Sequence, residues 1–158
     1  KKAKHSGQWE ALGFVRGAGN SSAVNNYSFS DRYSAAGIFN YRLKQIDYNG
    51  NFKYYYLASE VNISAPKKFG IKNIYPNPFN PSTKIQYDIP FEGFVKINVY
   101  DVTGRHVSEL INNFRQAGSY NINFNGANLS SGILYSVIEI TNNNGETYKN
   151  VHKMILVK

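Results

Sequence analysis

The chain has 158 residues, 42% of them hydrophobic and 15% aromatic, which is enough to build a core and is not the composition of a disordered chain. A formal charge of +8 would attract anionic partners, yet Lys and Arg are scattered among strand-like and turn-like stretches, so the charge alone names no nucleic-acid site. The absence of cysteine removes disulfides, thiolate catalysis and sulfur-ligated metals together.

Tyr, Phe, Ile and Val supply much of the apolar content, and no long apolar pattern has helical spacing, so the expected class is all-β. No apolar run has the length of a transmembrane helix. Lys1-Lys2-Ala3-Lys4-His5 is followed by Ser, Gly and Trp instead of a signal core, so any export signal is expected upstream.

Gln8 to Arg16, with Trp9, Leu12, Phe14 and Val15, reads as a first strand, and Gly17 to Ser22 as a loop. Gly17 and Gly19 do not make a phosphate loop, because neither a third glycine at the required spacing nor a Lys-Ser/Thr pair follows. Tyr27 and Phe29 suggest a short strand before Asp31. Phe39, Tyr41, Leu43 and Gln45 then alternate with Asn40, Arg42 and Lys44, the pattern of a strand with one buried face. Asn49-Gly50 is the pair favoured by a type I′ turn, so a hairpin is expected between residues 38 and 63. Within it Tyr54 and Tyr56 share a face and Tyr55 does not, which favours sheet packing over a continuous stacking strip.

Residues 65–74 read as a linker. Pro76, Pro78 and Pro81 then fall within Tyr75 to Thr83; each fixes φ, lacks a donor and pushes its predecessor toward extended geometry, so this stretch is neither helix nor central strand. Beyond it Ile85, Tyr87 and Ile89, then Val95, Ile97 and Val99, then Tyr120, Ile122 and Phe124 each alternate with polar residues. Leu134 to Thr141 and His152 to Val157 supply two further strands around the turn-rich Asn142 to Gly145. The spacing predicts a β-sandwich.

Catalysis finds little support. His5, His106 and His152 have no evident carboxylate partner, a metal site needs at least three converging ligands, and no pair of acids marks a cleft. No enzyme activity and no cofactor are expected. The Asn-X-Ser sequences at Asn20, Asn26, Asn62 and Asn128 carry little weight.

The order of turn motifs in the second half goes beyond generic β patterning. Tyr75-Pro76-Asn77-Pro78-Phe79-Asn80-Pro81 is followed by Val99-Tyr100-Asp101-Val102-Thr103-Gly104-Arg105, Ala117-Gly118-Ser119-Tyr120, Leu129-Ser130-Ser131-Gly132 and Lys153-Met154-Ile155-Leu156-Val157-Lys158. With these, Ile71 to Lys158 resembles the type A-like C-terminal sorting domain of cargo proteins of the bacterial type IX secretion system. It departs from that family at Phe124-Asn125-Gly126, where Trp-Asp-Gly is common, and at Leu134, where an aromatic is usual; the core is expected to repack around both. Residues 9 to 63, through Tyr41 to Gly50 with Phe52 and Tyr54, are similar to the latter part of an immunoglobulin- or fibronectin-like sandwich that precedes such domains.

The resemblance implies two β-sandwich modules in tandem: residues 1–64, lacking early strands, then a linker over 65–74, then a sorting sandwich over 75–158. It implies a non-catalytic address tag of a secreted protein, placed outside the cell or on its outer surface, with the type IX machinery at the outer membrane as partner. Pro76, Pro78, Gly104, Arg105, Gly118, Tyr120, Gly132, Lys153 and Lys158 are the motif residues expected to contribute, with Pro76 and Pro78 setting the angle between the modules. Six of them also have a plainer role: positive φ or close approach for the three glycines, an ion pair to Asp101 for Arg105, and edge-strand charge for Lys153 and Lys158. An alternative is a self-assembling extracellular subunit, in which an open sheet edge of the incomplete sandwich accepts a strand from another copy. Anionic surface polysaccharide is a further candidate partner; a specific nucleic acid is not expected.

Overall fold

A computed structural model describes residues 2–3, 8–19, 21, 23–31 and 35–158. The chain forms two compact units, one of Lys1–Arg32 with Gly37–Ile63, the other of Tyr33–Ala36 with Ser64–Lys158. Both are built from strands, and no helix occurs among the described residues.

The smaller unit holds β1 (Lys2–Ala3), β2 (Gly37–Asn40), β3 (Arg42–Ile46), β4 (Phe52–Tyr56) and β5 (Val61–Ile63). Its strands make a sheet in the order β1-β2-β5 and a separate ribbon, β3-β4. The expected hairpin is present as β3-β4, but the alternating stretch before its turn is split at Tyr41, between β2 and β3; the Tyr41 hydroxyl donates to Asp31 Oδ2 at 2.7 Å, Phe39 on β2 is buried, and Leu43 on β3 remains 61% exposed. The turn also differs from type I′. Only Gly50 takes positive φ (+86°), Gly50 N–H donates to Asp47 O and Asp47 N–H to Asn51 O, which is a type I turn closed by a glycine bulge. Asp101 to Arg105 and Asn142 to Glu146 repeat it, with Gly104 and Gly145 in the glycine position.

The strands expected over Gln8 to Arg16 and at Tyr27 and Phe29 do not form. Apolar alternation becomes a strand only where a neighbour completes the ladder, and these residues belong to none of the sheets formed by the described residues. His5, Asn20 and Ser22, each singled out in the sequence, lie outside the described residues.

The larger unit is a two-sheet sandwich. Its strands are β6 (Gly70–Tyr75), β7 (Ser82–Ile89), β8 (Gly93–Asp101), β9 (His106–Arg115), β10 (Gly118–Asn125), β11 (Gly132–Thr141) and β12 (Thr147–Leu156). The first sheet runs β10-β7-β6 and the second β12-β11-β8-β9, all neighbours antiparallel. Gly70 to Ile74, expected as the end of a linker, is therefore part of the sandwich: Ile71 and Ile74 are buried and pair with Tyr87 and Ile85 across a bulge at Lys72. A stretch read as connecting sequence is drawn into the sheet because it can bury those isoleucines.

The alternating residues of the later strands behave as their pattern requires. Ile85, Ile89, Val95, Ile97, Val99, Ile138 and Ile140 are completely buried between the sheets, each worth roughly 1.5–3 kcal/mol of burial. Phe124 and Leu134, the departures from the family pattern, are buried in the same core.

Candidate functional site

The proline segment belongs to the larger unit. It leaves β6 and, before β7, folds onto the C-terminal strand of its own sandwich. Asn77 Nδ2–H donates to Lys153 O at 3.0 Å, and Ile155 N–H donates to Asn77 Oδ1 at 2.9 Å. Phe79 continues the contact with its backbone: its N–H donates to Ile155 O, and its O accepts from Val157 N–H, both at 2.9 Å. The Asn77 amide thus imitates a peptide group, and the segment borders β12 as a short parallel neighbour. The bonds at Tyr75–Pro76 and Asn77–Pro78 are cis. Pro76 and Pro78 are exposed, and Pro76 O accepts from Thr83 Oγ1 at 2.7 Å. They shape this clasp.

Phe79 is the buried anchor of the clasp. It is 2% exposed, meets Phe124 edge to face at 5.8 Å, and lies so close to Gly126 that a Cβ there would stand 3.3 Å from its ring and 3.0 Å from Leu156. The C-terminus is tied at the same place. Lys158 N–H donates to Ser131 Oγ at 3.0 Å, and its ammonium donates to Ala127 O at 2.7 Å. Lys158 is therefore a bonded residue and more than an exposed edge charge. Lys153 keeps its side chain in solvent, with Tyr135 opposite on β11.

Register brings the next motif to this end of the sandwich. Gly132 pairs with Leu156, Leu134 with Met154, and Leu134 also with Asp101, so the turn holding Gly104 and Arg105 closes the same end of the four-stranded sheet. Asp101 organises that turn: Oδ1 accepts from the Thr103 hydroxyl and from the N–H groups of Thr103 and Arg105, and Oδ2 accepts from Arg105 Nε at 3.0 Å. The Thr103 hydroxyl is the largest cause holding the carboxyl down from 3.8 to about 2. Gly104 sits at φ +80°, which an L side chain resists. Gly132 differs: it has no positive φ, and a Cβ added there would meet nothing within 4 Å, so neither strain nor crowding accounts for it.

Gly118 and Tyr120 lie apart, at the opposite end, where Gly118 pairs with Ile89 and bridges to Ala35. The Tyr120 hydroxyl donates to Gln116 O at 2.8 Å, its ring stacks on Tyr87 at 5.6 Å, and the Arg115 guanidinium lies 5.5 Å from it. That is a structural corner in the manner of sandwich tyrosines. Burial raises the pKa of both tyrosines, Tyr87 to about 12.

Proline, glycine and terminal motifs, the first bonded to the last across 76 and 78 positions of sequence, thus converge on one end, around Asn77, Phe79, the Asp101 turn, Gly132 and Lys158. The parts that sequence reasoning did not single out are Asn77 and Phe79. Their signal is the spacing itself: a polar and an aromatic residue set between prolines in a segment unable to pair as an ordinary strand. No group of metal-ligating side chains occurs among the described residues.

A family model described as the secretion system C-terminal sorting domain matches residues 73–156. Among solved structures the chain is similar to dimeric latent PorU from Porphyromonas gingivalis, at 19% identity and a TM-score of 0.48, over 78% of this chain and 12% of that one. No curated protein matches.

Proposed function

Because the chain belongs to the family of secretion system C-terminal sorting domains, through residues 73–156, we propose that its larger unit is read as a folded address by the type IX machinery, through the end of the sandwich where the motifs meet. Sorting of this kind places a protein on the outer surface or outside the cell. The observation that carries the proposal is the clasp of Asn77 and Phe79 on residues 153–157, which makes the proline motif and the terminal motif one surface. Gly104, Arg105, Gly132, Lys153 and Lys158 complete it, whereas Gly118 and Tyr120 support the fold. The smaller unit is read as an accessory β module outside the matched residues, with no catalytic role assigned to it.

The test is a reporter carrying an inner-membrane export signal and fused to residues 64–158, expressed in a type IX-competent host. Starting at 64 keeps β6 whole. Surface exposure of the reporter is expected; retention in the periplasm, with the sandwich folded, refutes the reading.

A second reading rests on the smaller unit, which leaves Phe14, Val24, Leu43 and Tyr48 between 61% and 103% exposed while Phe39 is its one buried large hydrophobic among the described residues. We propose as an alternative that copies of the chain cover these residues for one another as an extracellular subunit. Light scattering of the purified chain decides: a concentration-independent monomer eliminates it.

A further inference from the structure

The β3-β4 ribbon carries a feature that sorting does not use. Arg42 pairs with Tyr56, Lys44 with Tyr54 and Ile46 with Phe52, so these six side chains share one face. On that face the Arg42 guanidinium lies 4.1 Å from the Trp9 ring centre and 3.9 Å from that of Tyr54. The Lys44 ammonium follows, 4.0 Å from the Phe52 ring and 5.9 Å from Tyr54. Cations and rings alternate along the ribbon, and neither strand places a carboxylate on this face.

We propose that this ladder is a binding site for an acidic polysaccharide, a sugar chain bearing carboxylate or sulfate groups. A guanidinium about 4 Å from two ring centres is held by both, which restricts its motion before any ligand arrives and leaves its N–H groups to donate. One of them reaches the Tyr56 hydroxyl only at 3.5 Å. This is a fork prepared for a planar or tetrahedral oxyanion at small entropic cost. Lys44 adds a second cation two residues along the strand, about 7 Å away by strand rise, so the face presents spaced charges to a polymer with spaced anions.

The same geometry separates polysaccharide from single-stranded nucleic acid. Nucleic-acid grooves stack bases on free aromatic faces. Here the protein's own cations lie over Trp9, Tyr54 and Phe52, leaving charge and polar groups as the means of recognition. Exposure of Phe52 and Tyr56 above half of their surface keeps the ladder open to a ligand. The site lies in the smaller unit and does not depend on how the larger one is recognised.

The experiment is affinity electrophoresis of the whole chain through gels containing alginate, neutral dextran or a single-stranded oligonucleotide. Alginate is expected to retard the chain and dextran to leave it unaffected. Replacing Arg42→Gln and Lys44→Gln together should weaken retention about tenfold or more. Lys67→Gln with Lys68→Gln, which removes equal charge from exposed positions in the larger unit, should change it less than about twofold. Arg42→Lys, keeping the charge and losing the fork, should fall between. Circular dichroism spectra matching the parent establish that each variant is folded. Absence of retardation in alginate, equal losses in the two double variants, or tighter binding to the oligonucleotide than to alginate each overturns the proposal.

Discussion

Replacing Asn77 with alanine tests whether the proline segment is part of the sandwich or a strap lying on it. The substitution removes the bonds to Lys153 O and from Ile155 N–H, at 3.0 and 2.9 Å, without touching the core. Each such bond contributes about 0.5–1.5 kcal/mol net, and water can reach both groups, so the expected loss is about 1–2 kcal/mol. In a unit of this size that corresponds to a fall of roughly 5–10 °C in Tm, read by calorimetry of the whole chain as the transition that melts the sandwich. Asn77→Asp sharpens the test. At neutral pH it keeps an acceptor for Ile155 N–H but sets a carboxylate oxygen against Lys153 O, and should destabilise at least as much as alanine. As pH falls and that carboxyl is protonated, it regains a donor, so its deficit relative to the parent should narrow. An Asn77→Ala variant within about 0.5 kcal/mol of the parent, the range of ordinary surface changes, would show that the clasp bears no load.

Gly104→Ala should cost about 1 kcal/mol in urea unfolding because of its positive φ, while Gly132→Ala should leave stability unchanged; loss of reporter export in a fully stable Gly132→Ala variant would then mark a contact with the machinery. Asp101 has a folded pKa near 2 against 3.8. Its turn therefore contributes stability that is fully present above about pH 4 and is lost as pH falls through about 2, visible in the amide resonances of Thr103 and Arg105; Asp101→Asn should remove the dependence. Tyr87, raised by burial from 10 to about 12, reverses the sign: stability is full below pH 10 and declines as pH rises toward 12, an alkaline loss that Tyr87→Phe should reduce.

The sequence was most legible where a residue's neighbours are fixed by alternation. Val95, Ile97 and Val99 could be assigned to one buried face because strand periodicity leaves no other arrangement that covers them. Gln8 to Arg16 has similar apolar residues, but strand formation there depends on partners that local sequence cannot specify, and the stretch joins no sheet among the described residues. The turn at Asn49-Gly50 was placed correctly and typed incorrectly: the glycine takes positive φ in either geometry, and the choice was made by Asp47 closing a longer loop onto Asn51. The site was legible as a set of motifs and illegible as a place. Nothing local to Asn77 announces that its amide will serve as a peptide group for residues 153 and 155.

That distance has a consequence for how the motifs should be divided. Gly104 is required by its own backbone, Arg105 by Asp101, and Tyr120 by Gln116, so each would persist for folding alone. Gly132 and the Lys153 side chain have no such internal reason, since a Cβ at the first would meet nothing within 4 Å and the second stands in solvent. They border the clasp from β11 and β12, beside residues whose hydrogen bonds hold the C-terminal strand in place. Recognition of a folded address needs a rigid frame and a readable surface; on the proposed reading Asn77, Phe79 and Asp101 belong to the frame, and Gly132 and Lys153 are the positions of that surface at which readability can be tested apart from stability. Substitutions in the frame should therefore lower export and stability together, whereas substitutions at Gly132 and Lys153 should separate them.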